Sequence, residues 1–598
     1  MNVFARAWRA IAACIMSAVS AVSVWLCPPA CPPEPRLAAD HPIMARDARA
    51  DNYAATDALG RSLPDFARVG GPREDRTVGL FYWTWHVAHA QALTDHYRHL
   101  PVNVSQTVAE YPAAAHDLDF PGWGPLNMPH HWNEPLFGYY DTDDRWVLRK
   151  HAEMLANAGV DVVIFDNTNG RWTWKESYDV LFEVFDQARG QGVNTPKIAF
   201  LLPFGPSEDT AAQLRSLYHD VYEPGRYQDL WFYWKGRPLI MAYPDALNKK
   251  DSTDKTIAKF FSFRPGNPYT DRGSAGQWGW LSVYPQRVYR NWLGVPEQMA
   301  VGVAQNYSAA AGLTAMNGEG VFGRTYTSKG YDTREQAVRL GANFAEQWER
   351  ALEIDPEFVF VTGFNEWVAG RHEEWMGVTN AFPDQYNDWF SRDIEPSKGQ
   401  LGDDYYYQLC DYIRRYKGVR PVPEYSAGEE AVYYAYPGNT FDRDDAGYGG
   451  LRYTDQTGRN DIALAKVSRD ASHLTFTAEC AEDLSPSGEP AWMRLFISTG
   501  GGPAWETFQY AIGREAPGVV ERSKGGWDWE EIGLAEWRAQ GSQLRLTVPK
   551  ALLGLSGEAF TLNFKWSDNM QHDGDAMDFY LYGDTAPLGR FCWVYRAA

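Results

Sequence analysis

Short apolar runs alternate with amphipathic helical stretches through the first two thirds of the chain. Val78–Trp83 (VGLFYW), the VDVVIFDNTNG stretch from Val160 to Gly170, Lys197–Leu202, Pro238–Tyr243 and Phe358–Val361 (FVFV) are rich in Val, Ile, Leu and Phe. Runs of this length without polar alternation read as strands buried on both faces. Shorter signals at Lys259–Phe263, Trp278–Val283 and Met299–Gln305 bring the count to eight. Between the strands, Val147, His151, Met154, Leu155 and Ala158 recur at helical spacing, with Asp143 or Asp144 placed to cap the helix and Gly159 to stop it. Further helices are expected from Lys175 to about Arg189 and from Asp209 to Tyr222. Thr333–Leu352 carries Val338, Ala342, Ala345, Trp348 and Leu352 on one face. Alternation of this kind implies a parallel sheet, and eight units in roughly 300 residues fit a closed (β/α)8 barrel of TIM type. An open doubly wound sheet is the alternative, although no GxGxxG follows the first strand.

After Asp403–Tyr416, read as a closing helix, Pro421-Val422-Pro423 marks a boundary. Beyond it, LRYTD, HLTFTAEC, AWMRLFIST, QLRLTVP, FTLNFKWSD and DFYLYGD alternate in polarity and are separated by Gly, Pro, Asn and Asp, the texture of an all-β sandwich. The expected organisation is a signal peptide over 1–30, a Pro/Ala/Asp-rich linker and lead-in over 31–72, an α/β barrel over 73–420 and a β-sandwich over 421–598. A long aromatic and histidine-rich loop, roughly His89 to Asp141, follows the first strand, and loops of that length inside a domain commonly carry function.

Composition narrows the partners. A net charge of −21 argues against nucleic acid or an anionic membrane and disfavours acidic polysaccharides. Aromatic residues make up 15% of the chain, with 25 Trp and 34 Tyr. Most must fill cores, but those at strand ends can offer flat platforms to sugar faces. Arg6 and Arg9 precede an apolar stretch, Ala10–Leu26, which has the form of an export signal; a retained N-terminal anchor is the alternative. The expected location is therefore secreted or cell-surface. Cys14, Cys27 and Cys31 belong to the leader region and its edge; Cys410, Cys480 and Cys592 remain, without metal spacing, and Cys480–Cys592 is a candidate disulfide. His86, His130 and His131 match no zinc motif. Asp442-Arg443-Asp444-Asp445 offers oxygen ligands to calcium but reads more readily as a solvated turn. No cofactor is expected.

The chemistry concentrates in PEFVFVTGFNEWVAGRHEEW, Pro356 to Trp375, where a buried strand delivers Asn365, Glu366 and Trp367 to its carboxyl end. A parallel barrel places its active site there. Asn-Glu at a late strand end followed by Trp resembles the barrel glycoside hydrolases related to families 71 and 99. The β region resembles family 9-type carbohydrate-binding sandwiches. The resemblance implies hydrolysis of glycosidic bonds in a poly- or oligosaccharide, by one carboxyl group that protonates the leaving oxygen and a second that attacks the sugar or activates water. Glu366 is the first candidate. Asp166, at the end of the second strand, is its partner, although it could equally serve a turn or a helix cap. Glu319, after the seventh strand, is the reserve, and Asp245, after the fourth, a weaker one. Trp83, Trp85, His86, Asn167, Tyr243, Gln305, Asn306, Asn365, Trp367 and Arg371 are the candidate substrate-binding residues. For Asn365 the resemblance implies a hydrogen bond to a sugar hydroxyl. The substrate expected is a neutral glycan. The competing reading is a non-catalytic glycan-binding surface protein.

Overall fold

The structure is a computed structural model that describes residues 31–86, 100–268 and 274–598. The expected signal peptide, and the first part of the long loop after the first strand, lie outside the described residues. Among the described residues no helix is long and apolar enough to cross a membrane.

The barrel strands are β1 (Thr77–Tyr82), β2 (Val162–Asp166), β3 (Lys197–Leu201), β4 (Arg237–Ile240), β5 (Ser262–Phe263), β6 (Trp278–Gly279), β7 (Pro296–Val301) and β8 (Phe358–Val361). β1 lies between β8 and β2, all parallel, with Leu80 opposite Val361 on one side and Val163 on the other. β3 continues from β2, and a parallel bridge from Leu201 to Met241 joins β4. β4 pairs with β5, Gly266–Asn267 just beyond β5 pairs with β6, and β7 pairs with β8. Between β6 and β7 a side chain replaces the ladder. The Gln298 amide accepts from Gly279 N–H at 2.9 Å and donates to Gly279 O at 2.8 Å. The backbone edge of β7 is meanwhile taken by the antiparallel segment Tyr289–Arg290.

Strand alternation sorts the side chains between two cores. Phe81, Val162, Ile164, Ala199, Leu201, Leu239, Met241, Trp278, Phe358 and Phe360 fill the barrel interior. Val78, Leu80, Tyr82, Val163, Phe165, Ile198, Phe200, Val359 and Val361 face outward against helices. Phe358 demands its space: a Cβ on Gly79 would run into its ring. The outer helices include α1 (Arg145–Ala158), α2 (Lys175–Gly190), α3 (Glu208–Leu217), α4 (Ser252–Phe260), α5 (Ala342–Ile354) and α6 (Asp404–Lys417). Asp144 caps α1 through Val147 N–H, and Gly159 ends it in the left-handed region, as the sequence implies. Lys259 and Phe260, expected in the fifth strand, instead end α4; the strand is only Ser262–Phe263. The seventh strand begins at Pro296, three residues before its expected start.

The C-terminal region is a sandwich. One sheet includes Trp593–Ala597, Phe560–Asp568, Arg494–Ser498, Tyr510–Ile512, Val519–Gly525 and Asp528–Leu534; the other is built on Ile462–Arg469, His473–Cys480 and Gln543–Pro549. In His473–Cys480 every second residue is buried, the signature of a sheet with one wet face. Cys480 and Cys592 are separate buried thiols, directed at the carbonyls of Asn460 and Arg590, so no disulfide joins them. In the acidic run 442–445, Arg443–Asp445 lie in a hairpin strand where Arg443 binds Asp144 and Asp444 binds Arg452.

Residues 31–72, expected as a linker, are packed. Tyr53 is buried, Ala54 pairs with Cys592 in the sandwich, and Asp47 and Asp51 hold Arg420. The irregular lead-in expected here from low periodicity is backbone packed between the barrel and the sandwich.

Gln298→Leu would leave the Gly279 N–H and carbonyl buried without their partner. An unmet buried polar group costs about 1–3 kcal/mol. The variant should lose about 2–5 kcal/mol in chemical denaturation, with a normal far-ultraviolet spectrum below the transition; an unchanged midpoint would show that the side chain does not close the barrel.

Candidate active site

Period-two alternation carries Ile164 and Asp166 onto the same inner face of β2, so Asp166 points into the barrel mouth. Its Oδ2 accepts Trp85 Nε1–H at 3.0 Å and its Oδ1 accepts Thr168 N–H at 3.1 Å. Burial lifts this carboxyl to about 6, against the opposing pull of those donors. Above it three indoles lie face to face: Trp83 on Trp85 at 4.0 Å and 13°, and Trp85 on Trp174 at 5.0 Å and 9°.

Glu366 follows β8. Its neighbours come from a segment that has no regular secondary structure and no periodic signal, Asp384 to Glu395. Arg392 Nη2 donates to Glu366 Oε2 at 3.0 Å, and Glu366 N–H donates to Asp393 Oδ1 at 2.8 Å. Gly363 permits this approach, since a Cβ there would meet the Arg392 carbonyl and its φ of 147° is one that other residues avoid. Burial pushes the Glu366 carboxyl well above the usual carboxylate range. Asp384, Asp393 and Asp166 act in the same direction, and together they outweigh Arg392. Asp166 therefore bears electrostatically on Glu366, as expected of groups at the ends of strands that flank β1. Asp393 is also lifted by burial, to about 7.

Most of the remaining candidates hold the protein to itself. Asn365 accepts from Trp83 N–H at 2.8 Å and donates to Trp83 O at 3.1 Å, which fixes its amide against the β1 backbone. Gln305 exchanges amide bonds with Asn343. Asn306 donates to Pro383 O, and Asn167 to Trp172 O. Trp367 is buried, stacked on Trp132 at 4.5 Å, with its Nε1–H on Glu395. Its backbone N–H donates to His86 Nε2, which burial holds well below the ordinary histidine value and thus neutral. Arg371 turns away from Glu366 to Asn380 and the Gly124 carbonyl. Tyr243 is partly exposed and donates to Gly266 O. The reserve acids are peripheral: Glu319 is exposed, and Asp245 is exposed beside Lys249. His130 sits between the carbonyls of Met128 and Trp123, and His131 packs edge-on to Tyr139 and Tyr448. Among the described residues no group of three or more His, Cys, Asp or Glu is placed to hold a metal.

The residues the sequence did not single out are Asp384, Arg392, Asp393, Glu395 and Trp174. Trp174 alone carried a readable signal, an aromatic residue in the loop that follows a strand-end acid.

No family model and no curated protein matches the sequence. Among solved structures the chain is similar to the GH99 endo-alpha-mannosidase of Bacteroides thetaiotaomicron, at 15% identity and a TM-score of 0.34, over 58% of this chain and 99% of that one. The same enzyme in complex with BIS-TRIS-propane aligns at 14% identity and a TM-score of 0.33, over 57% and 98%. A glycoside hydrolase family 5 structure from Bacteroides vulgatus aligns at 12% identity and a TM-score of 0.25, over 71% and 90%. These structural neighbours are glycoside hydrolases.

Because Asp166 titrates near 6 when folded and near 3.8 when not, the native state binds more protons than the unfolded state between those values. Its contribution to stability is thus present at low pH and lost as pH rises through that window. Asp166→Asn should melt close to the parent near pH 4 and be more stable by about 3 kcal/mol near pH 7; a pH-independent difference would refute the burial argument.

Proposed function

We propose that the chain is a glycoside hydrolase in which Glu366 is the general acid and Asp166 the nucleophile or base. The observation that carries this reading is the pairing of two buried carboxyl groups with different surroundings at the carboxyl ends of strands that flank β1. Burial and the neighbouring acids push the Glu366 carboxyl well above the ordinary carboxylate range. Asp166, lifted only to about 6 and holding two N–H donors, is mostly ionised at neutral pH. Separated proton affinities of this kind are what glycosidic cleavage needs from its two carboxyls. The indole stack over Asp166 supplies an apolar face suited to a sugar ring.

The substrate follows from charge. A mouth that carries Asp166 and Asp384, on a protein of net charge −21, repels an acidic glycan, so the reading favours a neutral poly- or oligosaccharide. Export by the N-terminal leader belongs to the same reading. So does a sandwich that braces the barrel, through Arg590 on Asp403 and Arg443 on Asp144.

The test is release of reducing sugar by the purified protein across plant, fungal and bacterial polysaccharides. Glu366→Gln and Asp166→Asn should each reduce the rate at least on the order of a hundredfold. Retention of a polysaccharide without release, unaffected by either substitution, would transfer the site to the glycan-binding reading.

A further inference from the structure

Asp384 is a third acid at the barrel mouth, and it differs from the other two in being open to solvent. Its side chain is 51% exposed, whereas Glu366 and Arg392 beneath it are 3% and 2% exposed. Arg392 Nη2 lies 3.0 Å from Glu366 Oε2 and 3.6 Å from Asp384 Oδ1, so two carboxyl groups converge on one nitrogen. The arginine is not free to follow either. Its backbone N–H donates to Gln385, its carbonyl abuts Gly363, and its guanidinium lies over Trp280 at 5.9 Å.

We propose that Asp384 is a positioning residue for the general acid: by sharing Arg392 Nη2 it weakens the guanidinium's stabilisation of the Glu366 carboxylate. An arginine at 3.0 Å with no competitor would favour the Glu366 anion strongly. A second carboxylate on the same nitrogen takes part of that charge, and its own field opposes ionisation of Glu366. The charged groups that face Glu366 are Arg392, Asp384 and Asp393 from one segment and Asp166 from the end of β2; Asp393 in turn faces Arg324 and Glu395. All of these except Asp384 are buried, so salt reaches only Asp384. The use of the Glu366 proton rests on the glycosidase reading above; the sharing of Arg392 does not.

The experiment follows the Glu366 carboxyl directly, by carbon NMR of protein labelled in its glutamate carboxyls, with the resonance assigned from its loss in Glu366→Gln. In Asp384→Asn the Glu366 midpoint should fall by about one pH unit, and the alkaline limb of the pH–rate profile should fall with it; Asp384→Glu should restore both. Raising salt to about 1 M should lower the parent's midpoint by more than that of Asp384→Asn. An unchanged midpoint in a folded Asp384→Asn overturns the proposal. If that variant does not fold, the parent's salt titration decides, and absence of drift overturns it equally. A midpoint that falls in a protein releasing no sugar from any glycan supports the shared arginine and removes the glycosidase reading.

Discussion

The ladder between β1 and β8 stops at the mouth, but the side chain of Asn365 carries it one rung further. One N–H and the oxygen of its amide stand in the geometry of a peptide group and pair with both backbone groups of Trp83. That rung fixes three things together. Trp83 is held at the base of the indole stack, Glu366 is held in the next position along the chain, and the register of β1 between β8 and β2 then sets Asp166 beside them. An amide whose two polar ends both meet buried backbone groups cannot be exchanged for an apolar residue without leaving those groups unmet. The mouth is therefore organised from a bond that involves no candidate catalytic group.

The barrel also shows what distinguishes a structural buried carboxylate from a poised one. Glu297, in β7, is as buried as Glu366, and burial pushes it upward too. It nevertheless lies below the ordinary range, because Arg264 grips it with two nitrogens and Trp234 and Trp278 add indole donors. Glu297 is a clamp. Asp166 receives two neutral N–H donors and no cation, and Glu366 shares its one arginine nitrogen with Asp384, so in neither case do the donors compensate for burial. The difference is one of donor number and charge, which a count of acidic residues in sequence does not contain.

Around this mouth the protein supplies a second layer that keeps the supports in place. Glu395 gathers Tyr140, His151 and Trp367, and His151 reaches Tyr82 behind the barrel wall. The hairpin at 443–455 joins the sandwich to the same region, through Arg443 on Asp144 and Tyr453 on the Tyr139 N–H. Side chains locked by such contacts hold a constellation better than loops do.

The eight strands, their alternation with helices and the change to an all-β region were legible because burial on two faces leaves unbroken apolar runs, and burial on one face leaves alternation. Glu366 and Asp166 were legible for the same reason, each standing where an apolar run ends. The roles of their neighbours were not. Asn365, Gln305, Trp367 and Arg371 have the chemistry of sugar-binding groups, and nothing local reveals that Trp83, Asn343, Glu395 and Asn380 take them first. Asp384, Arg392 and Asp393 lie in a stretch with no period at all, brought over β8 by the close approach that Gly363 allows. Local sequence determined which residues could ionise at the mouth; contacts between residues far apart in the chain decided which burial, donors and charges each of them meets.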